Sequence, residues 1–133
     1  MTQAHVLFLE DEEFIRMIVV ELLVEAGYEV TEAADGEAAL GLLDEHHGFD
    51  VLLADVQMPG RYDGVDVARH VRSLWPRMPV VFVTARPDTL HAFGAGPRDR
   101  CVKKPYRPTE VLAALQASLG PDTVSPLEGD RRC

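Results

Sequence analysis

Lysine is nearly missing from this sequence. Only Lys103 and Lys104 occur in 133 residues, they are neighbours, and every other cationic side chain is an arginine. Cysteine is as scarce: Cys101 and Cys133 cannot make the disulfide framework of a small secreted domain. No apolar run approaches the roughly 20 residues that span a bilayer. The N-terminus lacks the basic-then-apolar pattern of a signal peptide. These absences predict a cytoplasmic setting without membrane association. Positive charge is also short in the first fifty residues, where Arg16 stands alone against thirteen acids. Residues 51–133 carry twelve bases and nine acids, so the formal net charge of -9 arises in the N-terminal part. An acidic surface repels phosphates, which disfavours nucleic acid as a direct partner. What remains is ordinary for one folded domain with one core: 47% hydrophobic and 26% charged residues.

The hydrophobic pattern switches period along the chain. Ala4–Leu9 is a short apolar run and reads as a buried strand. Over Glu12–Ala26 the apolar residues Phe14, Ile18 and Leu22 recur at spacing four, with Ile15 and Val19 beside them, so a helix is expected. Gly27 is placed to end it in a left-handed cap. Tyr28–Ala33 alternates and reads as an edge strand. Asp35 is a candidate cap for a helix running to His46. Val51–Ala54 is a third strand, followed by a loop over Asp55–Asp63. Gly64–Leu74 is helical, Pro79–Thr84 a fourth strand, and Arg100–Lys103 a weak fifth. Pro108–Leu119 closes the series as a helix with proline near its start. Pro87–Pro97 should hold a helix but contains two prolines and two glycines. At most two turns are expected there, in a mobile and responsive stretch. Residues 1–120 read as the domain, and 121–133, poor in apolar residues, as a disordered tail. Short apolar strands alternating with helices mean a parallel sheet with helices on both faces.

Ligands of open parallel sheets bind at the carboxyl ends of the strands. Glu10 and Asp11, then Glu12 and Glu13, follow the first strand, and Asp55 follows the third. Thr84 and Ala85 follow the fourth, and Lys103, Lys104 and Pro105 the fifth. Carboxylates crowded there repel one another, and a hard dication such as Mg²⁺ relieves them through oxygen ligands. One carboxylate could then attack phosphorus, with an ammonium neutralising phosphoryl oxygens and a hydroxyl hydrogen-bonding them. Glu12 and Glu13 read better as a solvated helix start. Lys103 alternates away from Lys104 and reads as a surface residue.

At this point the sequence resembles the response-regulator receiver domains of two-component signalling, over about residues 4–119. The resemblance rests on VLFLEDE (Val6–Glu12), LLADVQMPG (Leu52–Gly60), DG (Asp63, Gly64), VVFVTA (Val80–Ala85) and KKPY (Lys103–Tyr106). It implies an α/β, flavodoxin-like, doubly wound sheet of five parallel strands in the order 2-1-3-4-5. It implies that Asp55 accepts a phosphoryl group from a sensor histidine kinase or a histidine phosphotransfer protein, altering the binding of a downstream protein. It implies Mg²⁺ (or Mn²⁺) held by Asp11, Asp55 and the backbone carbonyl of Gln57, with Glu10 acting through water. Thr84 matches the switch hydroxyl, with the Ala85 backbone beside it. Lys104 matches the phosphoryl-contacting lysine, and Pro105 the cis-proline. MPGRYDG, with one residue more than the commonest pattern, and the KPY ending are similar to stand-alone receivers without an output domain. A monomer or weak homodimer is expected. Two positions depart from the family pattern: Glu10 replaces an aspartate, and Cys101 stands where the switch aromatic usually lies. The usual threonine-plus-aromatic rotation therefore cannot work in its ordinary form.

Other functions fit less well. A phosphatase with an aspartate nucleophile and Mg²⁺ would want a second aspartate two residues on, where Gln57 stands. A nucleotide or flavin binder would not place four acids after its first strand. An inactive receiver-like docking module is at odds with the complete set of Asp11, Asp55, Thr84 and Lys104.

Overall fold

Parallel strands covered on both faces are near-continuous apolar runs, and β3 (Val51–Asp55) and β4 (Val80–Thr84) are buried throughout, polar only at their last residues. With β1 (His5–Leu9), β2 (Glu29–Ala33) and β5 (Arg100–Lys103) they form one parallel sheet in the order β2-β1-β3-β4-β5. The structure, a computed structural model, describes residues 3–46 and 48–120. The tail expected over 121–133 lies outside them.

Strand alternation divides the core in two. Leu7, Leu9, Leu52, Ala54, Val80 and Phe82 face one side, where α2 (Gly36–Glu45) and α3 (Gly64–Leu74) bring Ala39, Leu43, Val67 and Val71. Val6, Phe8, Leu53, Val81 and Val83 face the other, against Val19 and Leu23 of α1 (Glu13–Glu25) and Val111 and Leu115 of α4 (Pro108–Leu119). Each valine, leucine or phenylalanine among these, taken from water to full burial, contributes roughly 1.5–3 kcal/mol.

The helix boundaries have local causes. Gly27, at φ +101°, takes the left-handed turn after α1. The Asp35 carboxylate accepts from the Ala38 amide at 2.8 Å and caps α2. Asp63 and Asp66 form a reciprocal capping box at the start of α3. Pro87–Phe93 winds into a short 3-10 helix ended by Gly94 at φ +73°, in keeping with the two turns expected. One boundary needs correction. Asp55 was expected to open the loop, but it is the last residue of β3. It is paired with Val83, and the ladder continues from the Val56 amide to the Val83 carbonyl at 2.9 Å.

The register brings the functional strand ends level. Leu9 lies opposite Ala54, Asp55 opposite Val83, and Thr84 opposite Lys103. Gly64 keeps that edge close to α3. A Cβ there would strike the Asp55 carbonyl oxygen, and would sit 2.9 Å from its carbon and 3.1 Å from the Val56 Cα. Backbone cannot yield as a flexible side chain can. Gly64→Ala is therefore expected to cost about 2–3 kcal/mol in urea unfolding. A loss below about 0.5 kcal/mol, the range of neutral surface changes, would show that α3 is free to move away.

Candidate functional site

Glu10 and Asp55 are each 2% exposed, although both are acids. Such burial demands partners. Asp55 Oδ2 accepts from Lys104 Nζ at 2.7 Å, and Asp55 Oδ1 accepts from the Gln57 amide at 3.1 Å. Glu10 Oε2 accepts from the Glu12 amide at 3.0 Å. The exposed Asp11 completes a set with Glu10 and Asp55, in which one carboxylate oxygen from each lies within 4.8 Å of the others. Desolvation by burial pushes the Glu10 carboxyl up to about 7, and the charges of Asp55 and Asp11 add to this against the Glu12 amide and Lys104. Tyr106, beside this edge, is pushed up to about 12 by burial and by the nearby carboxylates of Glu10, Asp55 and Glu12. Its phenol stays protonated at neutral pH.

Thr84 is fully buried. Its hydroxyl donates to Gln57 Oε1 at 2.9 Å, the Ala85 amide donates to the same oxygen at 3.3 Å, and the Arg86 amide donates to Thr84 Oγ1 at 2.9 Å. The Lys104–Pro105 peptide is cis. Lys103 is exposed. The residues singled out at four strand ends thus converge on one edge: Glu10, Asp11, Asp55, Gln57, Thr84, Ala85 and Lys104.

Sequence reasoning missed three contributors. Arg16 donates to the Glu10 backbone carbonyl at 2.6 Å and to Glu32 Oε1 at 3.0 Å, fastening the end of β1 to β2. Its isolation among thirteen acids was the available signal. The Gln57 carboxamide stands two residues beyond Asp55, a position the family resemblance marks as one that tunes dephosphorylation, but its contact with Thr84 and the Ala85 amide was not foreseen. The third is Phe93. Its ring meets Phe82 edge-on, with centroids 5.1 Å apart, and the Arg72 and Arg69 guanidinium groups lie 5.2 and 6.0 Å from its centroid. Cys101, in the position where a switch aromatic was looked for, packs partly buried against the same core as Phe93.

Three carboxylates with hard oxygen donors, two of them buried and mutually repelling, suit a small dication. Glu10, Asp11 and Asp55 form the acidic cluster that could take it.

Comparison with known proteins agrees with this geometry. The family model for the response regulator receiver domain matches residues 6–116. The transcriptional regulatory protein YkoG of Bacillus subtilis is 37% identical over 123 residues, covering 90% of this chain and 52% of that protein. The chain spans about half the length of the curated relatives it matches. The chemotaxis response regulator CheY4 of Vibrio cholerae superposes with a TM-score of 0.77 at 34% identity, covering 89% of this chain and all of that one. The response regulator TrrA of Thermotoga maritima, solved with Mg²⁺ and BeF, gives 0.75 at 28% identity, covering 88% and 100%. Among the described residues no helix is long and apolar enough to cross a membrane. With this sheet order, this strand-end edge and a match over most of its length, the chain belongs to the response-regulator receiver domains of two-component signalling.

Proposed function

We propose that Asp55 takes a phosphoryl group from the phosphohistidine of a histidine kinase or histidine phosphotransfer protein, in the cytoplasm, and that the change alters binding to a downstream protein. The observation that carries this reading is the convergence on Asp55. A buried carboxylate lies at a strand end with an ammonium at 2.7 Å, and the Thr84 hydroxyl and Ala85 amide stand on the neighbouring strand end. An Asp55 carboxylate oxygen would attack phosphorus, forming a C–O–P linkage. The P–N bond would break with its electron pair going to the imidazole. Lys104 would move from the carboxylate to a phosphoryl oxygen, keeping its charge paired. Thr84 and the Ala85 amide would donate to another. When bound at Asp11, Asp55 and the Gln57 carbonyl, Mg²⁺ supplies charge neutralisation for the remaining phosphoryl oxygens.

Gln57 cannot serve as a general acid, so the position two residues after Asp55 lacks the proton donor that a phosphatase of this chemistry would use there. The expected product is an acyl phosphate on Asp55. The test is incubation of the full chain with Mg²⁺ and acetyl phosphate or phosphoramidate, followed by intact-mass measurement. One base-labile phosphoryl group, mapped to the peptide containing Asp55, is expected. No adduct, or one mapped elsewhere, would overturn the reading.

A further inference from the structure

The two donors that a phosphoryl group on Asp55 would need are already in use. The Thr84 hydroxyl and the Ala85 amide both point at Gln57 Oε1, at 2.9 and 3.3 Å. A backbone amide can only donate, so the atom it faces is the carboxamide oxygen and not its nitrogen. A hydroxyl has one proton to give, so Thr84 cannot donate to Gln57 and to a phosphoryl oxygen at once. The same hydroxyl accepts from the Arg86 amide at 2.9 Å. Arg86 in turn precedes the 3-10 helix, where its carbonyl accepts from the Thr89 amide at 3.0 Å and the Thr89 hydroxyl at 2.7 Å. A continuous chain of hydrogen bonds therefore runs from Gln57 through Thr84 to the start of Pro87–Phe93.

We propose that Gln57 is a positioning residue whose carboxamide oxygen stands in for a phosphoryl oxygen in the resting protein. It holds Thr84 and the Ala85 amide in reserve and opposes their capture by the phosphorylated site. The inference rests on Asp55 being the acceptor. Gln57 gains stability for the resting form by satisfying the hydroxyl of a fully buried threonine. Phosphorylation must displace that oxygen before Thr84 can swing to the phosphoryl group, and the swing releases the Arg86 amide. Gln57 is itself exposed, so its side chain has room to leave. In this way one exposed amide sets the balance between resting and activated forms and ties it to the 3-10 segment.

The test uses Gln57→Met, similar in length but without the carbonyl acceptor, and Gln57→Glu, which keeps an oxygen there. Thermal unfolding confirms that both are folded. In the free protein, hydrogen exchange at the Ala85 amide is expected to quicken about three- to tenfold in Gln57→Met and to stay near wild type in Gln57→Glu, the scale of one hydrogen bond. In a titration with beryllofluoride and Mg²⁺, followed by the Thr84–Arg86 amide resonances, the apparent Kd of Gln57→Met is expected to fall about three- to tenfold. Wild-type binding with Gln57→Met unchanged or weaker would overturn this role alone. So would equal loss of Ala85 protection in both variants. A wild-type protein that neither binds beryllofluoride nor takes up phosphate would overturn the acceptor reading and this role together.

Discussion

Asp55→Asn is expected to abolish the phosphoryl adduct while leaving the fold intact. A carboxamide oxygen carries no charge and is a poor nucleophile toward phosphorus, and no other acid at this edge has the same placement. Glu10 is as buried but lies one strand away, its Oε2 tied to the Glu12 amide, and Asp11 is exposed. The fold has little reason to suffer. Asparagine fills the same space, and its oxygen can keep the 3.1 Å bond from the Gln57 amide. Lys104 loses a carboxylate but is 30% exposed and can return its ammonium to water. Repulsion on Glu10 and Asp11 is relieved at the same time. Stability should therefore change by no more than about 1 kcal/mol. Intact mass after acetyl phosphate treatment, paired with thermal unfolding, separates the chemical effect from a structural one. An Asn variant that still gained a phosphoryl group would move the acceptor to another residue.

Much of this architecture is visible in the letters because it depends on local periodicity. The apolar runs Val51–Ala54 and Pro79–Thr84 could hardly be anything but buried strands, and Asp35, Asp63 and Gly27 punctuate the helices by their own side chains or by lacking one. The strand ends followed directly, since a parallel sheet puts them all at one edge. Asp55 was misplaced by one residue because strand pairing, and not its own propensity, decides where β3 stops; aspartate is a poor strand former held in place by Val83. Contacts between loops were the least legible. Gln57 reaches Thr84 across 27 residues, and Phe93 reaches Phe82 from a segment whose prolines and glycines gave no periodicity to read. Arg16 was legible as an oddity of charge, but its target, a backbone carbonyl, has no signature in sequence.

The near absence of lysine makes Lys104 the most informative substitution after Asp55. Lys104→Met is expected to act in two opposite directions. Phosphoryl uptake should slow by about 10²–10³-fold, the usual cost of removing one preorganised donor from a developing oxyanion. Mg²⁺ affinity of the unphosphorylated protein should rise about three- to tenfold. The reason is that Lys104 Nζ, at 2.7 Å from Asp55 Oδ2, competes with any cation for that carboxylate. Without it, three acids within 4.8 Å of one another lose the ammonium among them, and a bound dication relieves more repulsion. Partial exposure of Lys104 keeps the gain modest, because water already screens the ammonium. Lys103→Met provides the control: this neighbour is exposed, pairs in register with Thr84 through its backbone, and should change neither quantity. Single-turnover phosphorylation and a Mg²⁺ titration measure the two effects separately. Loss of both uptake and metal affinity would mean that Lys104 merely holds the edge together, whereas slower uptake with tighter metal binding requires it to be the counter-charge that moves from the carboxylate to the phosphoryl group.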